Sequence, residues 1–268
     1  MRGDYPVAEW VETFRPAVEA RFGPLPEFDI RVVDEVPLAQ MSWEPWTVYW
    51  PRDPLIGRPL FVYSPENIAN LQIEQYTRGQ PAYFVYALVH DITHLYQTDF
   101  SRGMWHRPKQ FYEYTHWVEG GADLAACAVI FETREWLRAL QKISADLLGR
   151  KVGRRAVDRT VAVRMGGILV VLAQRGILQA SSISEFPLPF DIPAAFARKV
   201  NRAADDHLAH RDASLPIRSD RMPYILGFSR LARVVRSGRM TIEEAFCTPI
   251  ANRDLLALAR ECGEPFPA

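Results

Sequence analysis

The chain has only three cysteines, Cys127, Cys247 and Cys262, and they are scattered. An odd, dispersed set builds neither a CxxC metal knuckle nor a disulfide framework, and a reducing compartment suits such thiols. Net charge is also missing, because Lys+Arg and Asp+Glu both number 32. Without excess basic charge there is no general attraction for nucleic acid or anionic membranes, and neither is expected as a partner. The longest apolar run, Val161 to Ala173, is interrupted by Arg164 and Gly166-Gly167. It falls short of the ~18 residues a membrane span needs, so no transmembrane helix is expected. Met1-Arg2-Gly3-Asp4-Tyr5 leads into a Glu- and Arg-studded segment where a secretory signal would be apolar. The expected location is cytoplasmic, or secreted if a leader has been removed. No Gly-x-Ser-x-Gly elbow and no Gly-rich phosphate loop occurs, which disfavours serine hydrolase and nucleotide chemistry.

What is present is enough to build a core: 268 residues, 48% of them hydrophobic and 24% charged, with 7 Trp, 14 Phe and 10 Tyr. Val11, Phe14, Val18 and Phe22 recur at helical spacing before the Gly23-Pro24-Leu25-Pro26 break. Phe28 to Val36, Trp46 to Trp50 and Pro59 to Tyr63 are β-branched and aromatic between prolines, and read as three short strands of a small mixed sheet. Ser64 and Pro65 mark a helix start. From Pro81 to about Thr98 the chain is apolar nearly all round, the signature of a buried central helix. A second helix is expected from about Phe111 to Leu140. The rest reads as mainly helical, with a Pro-rich loop at Ser181 to Pro193 and a capping box at Thr241-Ile242-Glu243-Glu244.

His90 and His94 stand four residues apart on the first of these helices, ~40° apart on one face, where both imidazoles can reach a single metal. Asp91 sits beside them, making His-Asp-x-x-His where His-Glu-x-x-His is the familiar zinc pattern. Two packed, hydrogen-bonded core histidines are the plain alternative. The second helix carries Glu119 and Asp123 one turn apart in the apolar run Trp117-Val118-Glu119-Gly120-Gly121-Ala122-Asp123. A buried carboxylate costs several kcal/mol unless it finds a partner, and a metal or a histidine is a natural one.

With these residues the chain resembles the gluzincin branch of the zincin metallopeptidases. The resemblance implies that His90, His94 and Glu119 bind zinc, that Asp123 orients a liganding histidine, and that Asp91 is the general base. His90-x-x-Thr93-His94-x-x-Gln97 followed by Glu119-Gly120-x-Ala122-Asp123 is similar to the plant-type basic secretory proteins, and Trp117-x-Glu119-Gly120 to the glycyl aminopeptidases. Arg221-Met222-Pro223-Tyr224-Ile225-Leu226-Gly227 resembles a helix of the latter family, which implies an oxyanion-stabilising Tyr224; a core tyrosine is the alternative. The chain departs from the pattern at Asp91, whose carboxylate is retracted by ~1.5 Å relative to Glu. A misplacement of about 1 Å can cost ~100-fold in rate, so a slow enzyme, another substrate geometry or a metal-binding pseudoenzyme each fits that change.

His116, three residues before Glu119, is a further catalytic candidate or a polar neighbour. His106 reads as a solvated loop residue, and His207 and His210 as part of a charged helix face. His90 is the first histidine in the chain, which argues against the His-Asp phosphohydrolases, whose site needs one further upstream. Cys127 lies in an apolar helical run and reads as an inert thiol. The expectation is an α+β zincin-like protein. Residues 1–145 would supply the sheet and both metal helices, and 146–268 a mainly helical part closing the cleft. The expected activity is zinc-dependent hydrolysis of a peptide or protein substrate; the alternative is a noncatalytic metal-binding protein of the same fold that binds a peptide or protein partner.

Overall fold

The computed structural model describes residues 5–34, 36, 45–49, 57–73, 81–97, 111–149, 151–210 and 222–265; side chains at 49, 71–73, 81–83, 148 and 210 are not described. Residues divide into two compact units, one of 1–111 with 128–157 and one of 112–127 with 158–268. The stretch 112–127 thus counts with the C-terminal helices.

In the first unit, helix α1 (Val7–Phe22) buries Trp10, Val11, Phe14, Ala17 and Val18, the apolar stripe of a 3.6-residue period. Gly23 ends it at φ +81, its N–H donating to the Glu19 carbonyl, a conformation a side chain would oppose. Strands β1 (Asp29–Val32), β2 (Trp46–Tyr49) and β3 (Leu60–Tyr63) form a sheet in the order β1-β3-β2. β3 runs parallel to β1, with Asp29 opposite Leu60, and antiparallel to β2, with Trp46 opposite Tyr63. The sheet is mixed, as its pattern suggested, and all four β3 residues are buried, as a central strand covered on both faces requires. Helix α2 (Pro65–Ile73) starts where expected: Ser64 Oγ accepts the Asn67 N–H at 3.3 Å, and Pro65 takes the first position.

Helix α3 (Pro81–Thr93) buries Phe84, Val85, Leu88, Val89 and Ile92. It ends about five residues sooner than its apolar run suggests, and His94–Gln97 continues as a 3-10 turn. The single helix expected over 111–140 is two, α4 (Thr115–Glu132) and α5 (Trp136–Leu148). The break has a local cause. Trp136 Nε1 donates to the Ile130 and Thr133 carbonyls at 3.1 and 3.2 Å, satisfying acceptors that a continuing helix would have used. α5 and α3 pack together, and both pack against α1.

The second unit adds α6 (Arg154–Gln174), a short 3-10 turn at Ile183–Glu185, α7 (Ala194–His210), α8 (Met222–Arg236), α9 (Ile242–Cys247) and α10 (Asn252–Glu261). Thr241 and Glu244 make the expected capping box, with bonds of 3.1 and 2.8 Å between each side chain and the other's backbone N–H. Two glycines set one helix crossing. A Cβ built on Gly120 would fall inside the backbone of Gly227 and Phe228, and one on Gly227 inside the His116 carbonyl, so α4 and α8 meet backbone to backbone. The chain is α+β, a small mixed sheet with mostly helical surroundings. No described helix is long and apolar enough to cross a membrane.

Candidate metal centre

α3 is apolar nearly all round, so it sits in the core of the first unit and its C-terminal turn is rigidly placed. His90 is buried, while Asp91 and His94 are half-buried. The two histidine Nε2 atoms stand 3.2 Å apart, with the rings edge to face at 86°. Two nitrogens bound 2.0–2.1 Å from a tetrahedral zinc are about 3.3 Å apart, so this spacing is the one a shared metal needs.

The tautomer of His94 follows from its other nitrogen. Nδ1 lies 2.8 Å from Gln97 Oε1, and an amide oxygen can only accept. Nδ1 therefore carries the proton and Nε2 the lone pair, the form a metal requires. The 3-10 turn belongs to the same device, because residues three apart eclipse there, bringing Gln97 over His94. Thr93 Oγ1 donates back to the His90 carbonyl at 2.6 Å and fastens the last turn of α3. Asp91 is held from the sheet: Trp46 Nε1 on β2 donates to Asp91 Oδ2 at 2.8 Å. Trp46 is 2% exposed and packs on Phe61 and Phe84, so the donor is fixed in place.

His90, Asp91 and His94 each offer one ligand atom, all within 4.8 Å of one another. That three-donor group is what the first unit assembles. Without a metal, a His90 N–H donating to the His94 lone pair would satisfy the same 3.2 Å contact, so the geometry fits both the metal reading and that of packed core histidines.

The remaining sequence candidates lie in the second unit. Glu119 and Asp123 are both buried on α4, one turn apart. Asp123, 1% exposed, accepts from Arg164 Nη2 of α6 through both oxygens, at 2.9 and 2.7 Å. His116 is half-buried at the start of α4, and Arg230 Nη1 lies 3.0 Å from its Nδ1. Burial, and then the Arg230 charge, push the His116 pKa down to about 4. Tyr224 is half-buried in the first turn of α8. His207 Nε2 lies 3.1 Å from the Val163 carbonyl, which gives it a structural role, and Cys127 is buried and in no disulfide. His106 and the His210 side chain fall outside the described residues.

Several contributors escaped the sequence reading. Trp46 comes from a strand 45 residues away from Asp91, and no local pattern links the two. Arg230 and Glu264 are equally remote from His116 in the chain. Gln97 was visible, three residues after His94 and able to reach it along one turn. Comparison with protein-family models, with curated proteins and with solved structures finds no match to this chain.

Proposed function

We propose that the chain is a zinc-dependent amide hydrolase of the metallopeptidase kind, acting on a peptide or protein. The observation that supports it is the His90–His94 nitrogen pair at 3.2 Å, with His94 set by Gln97 in the tautomer that leaves Nε2 as a ligand. In this reading His90 and His94 hold the ion, and Glu119, assigned from the sequence pattern, is the third ligand. Zinc so bound supplies Lewis-acid polarisation of a carbonyl and a lowered pKa for water. Asp91 accepts the proton of the attacking water on its carboxylate and returns it to the leaving amine. Trp46 holds Oδ2 of that carboxylate and so fixes its orientation. Asp123 is assigned from the sequence pattern alone as the residue that orients a liganding histidine; within its own unit its carboxylate is held by Arg164. His116 and Tyr224 assist the developing oxyanion. The zincin-like arrangement belongs to this proposal too: a small mixed sheet, then a buried helix with the histidine pair, then a helix with the acids.

A noncatalytic metal-binding protein is the second reading, and the Trp46 bond favours it, since a carboxylate tied to an indole N–H has a structural use of its own. Hydrolysis of a peptide library by zinc-loaded protein separates the two. Asp91→Ala is expected to retain zinc and lose hydrolysis, and His94→Ala to lose both. Hydrolysis that survives in Asp91→Ala removes Asp91 as base.

A further inference from the structure

The first turn of α4 and the middle of α8 contain a chain of polar groups that the metal site does not need. Glu264, 3% exposed, accepts from Arg230 Nε at 3.2 and 3.4 Å, and Arg230, 8% exposed, reaches His116 Nδ1 with Nη1 at 3.0 Å. Two burials at this level make an ion pair that water cannot compete for. A guanidinium has five N–H donors, no acceptor, and a pKa above about 12. Whatever sits 3.0 Å from Nη1 must therefore accept, so His116 Nδ1 presents its lone pair and the ring proton is left on Nε2. Protonating Nδ1 would put an N–H against an N–H beside a fixed positive charge. Asn252 Oδ1 holds the start of the same turn by accepting the His116 backbone N–H at 2.9 Å. Among the described residues Nε2 has no hydrogen-bond partner, and it is not a buried atom lacking one.

We infer that Arg230, braced by Glu264, is a positioning residue that fixes His116 as a neutral imidazole with its proton on Nε2, a preset N–H donor for an oxygen of the substrate. A donor that stays neutral near pH 7 gives a hydrogen bond without transferring its proton, which suits an oxygen that gains charge during attack on a carbonyl. Gly227 makes the device possible. By letting α8 approach the His116 carbonyl, it brings Arg230, one turn later on the same face, over the ring. Arg230 and Glu264 touch no substrate; their part is to set the tautomer. The use of His116 in hydrolysis rests on the amide-hydrolase reading, whereas the tautomer does not.

Among the described residues, the polar groups bonded to His116 are Arg230 from α8 at the ring and Asn252 from α10 at the backbone N–H, with Glu264 behind Arg230. The test is the ring nitrogen resonances of 15N-histidine-labelled full-length protein from pH 5 to 8, with His116 assigned by their loss in His116→Gln. The expected spectrum is a neutral ring protonated at Nε2 across the whole range. A ring protonated at Nδ1, or one that titrates near the ordinary histidine value, overturns the inference. In Arg230→Met/Glu264→Met, which removes both buried charges together, the titration should return toward the ordinary value. Once His116 is assigned, the wild-type spectrum decides the tautomer, so misfolding of Arg230→Met/Glu264→Met does not spoil the test. Adding a phosphonamidate dipeptide, a tetrahedral mimic of amide hydrolysis, to the zinc-loaded protein tests the donor role. A shifted His116 Nε2–H resonance supports that role, and binding that leaves it unmoved overturns it. Failure of the mimic to bind counts against the hydrolase reading and leaves the tautomer result standing.

Discussion

Gly227→Ala perturbs the crossing on which the His116 environment depends. A methyl group there would lie inside the His116 carbonyl, far closer than the 3.4 Å at which ordinary contact begins, and would also meet Gly120 Cα at 3.0 Å. Neither neighbour is the end of a flexible side chain, so α4 and α8 must separate. Overpacking of this kind costs about 1–3 kcal/mol, and losing the Arg230–His116 bond about 1.5 kcal/mol more, against a helix-propensity gain of up to about 1 kcal/mol for replacing glycine. The net expectation is a loss of roughly 1.5–3.5 kcal/mol. Gly167→Ala is the internal control. Its nearest neighbours are atoms of the His207 ring, at 3.4 to 3.8 Å in ordinary contact, so it should stabilise by about 0.5–1 kcal/mol through the same propensity gain. Urea unfolding followed by circular dichroism measures both. If the two variants shift stability in the same direction and by similar amounts, the close approach of α4 and α8 is refuted.

Trp46→Phe keeps the ring contacts with Phe61 and Phe84 but removes the donor to Asp91 Oδ2. A bond to a half-exposed carboxylate should be worth about 1–2 kcal/mol, read as a lower urea midpoint, and an unchanged midpoint would contradict it. Asp123→Asn removes the charge that Arg164 Nη2 holds through two oxygens, and should cost about 2 kcal/mol; Asp123→Asn/Arg164→Met should recover part of the loss in a double-mutant cycle. His116 should make stability depend on pH. Its folded pKa of about 4 lies below the ordinary 6.5, so between these values the unfolded chain binds the proton and the native one does not. Stability therefore falls as pH drops from 6.5 to 4. The difference corresponds to about 3 kcal/mol, to be read as the extra pH dependence of wild type over His116→Gln, and parallel curves would refute it.

The parts of the molecule that were legible in the sequence are those with local causes. The stripe of α1, the Ser64 cap, the Thr241 capping box and the three strand segments each follow from residues within a turn or a hairpin's length of one another. The end of α3 and the break between α4 and α5 were not legible from periodicity, because side chains decide both. Gln97 folds over His94, and Trp136 takes the carbonyls of Ile130 and Thr133. At the candidate centre, the pairing of His90 with His94 could be read from a four-residue spacing. The groups that tune the two sites come from distant elements: the donors Trp46 from a strand and Arg230 from α8, and the acceptor Glu264 from beyond α10. Which indole or guanidinium meets which ring is set by tertiary packing, and in one sequence such partners leave no periodic trace.

Metal content tests the central claim most directly. Elemental analysis of purified wild type, His94→Ala and Glu119→Ala, each exposed to zinc and then freed of excess, should find near-stoichiometric zinc in wild type and loss of it in both variants. A folded, zinc-replete wild type that retains no metal would contradict the account and leave His90 and His94 as a hydrogen-bonded pair in the core.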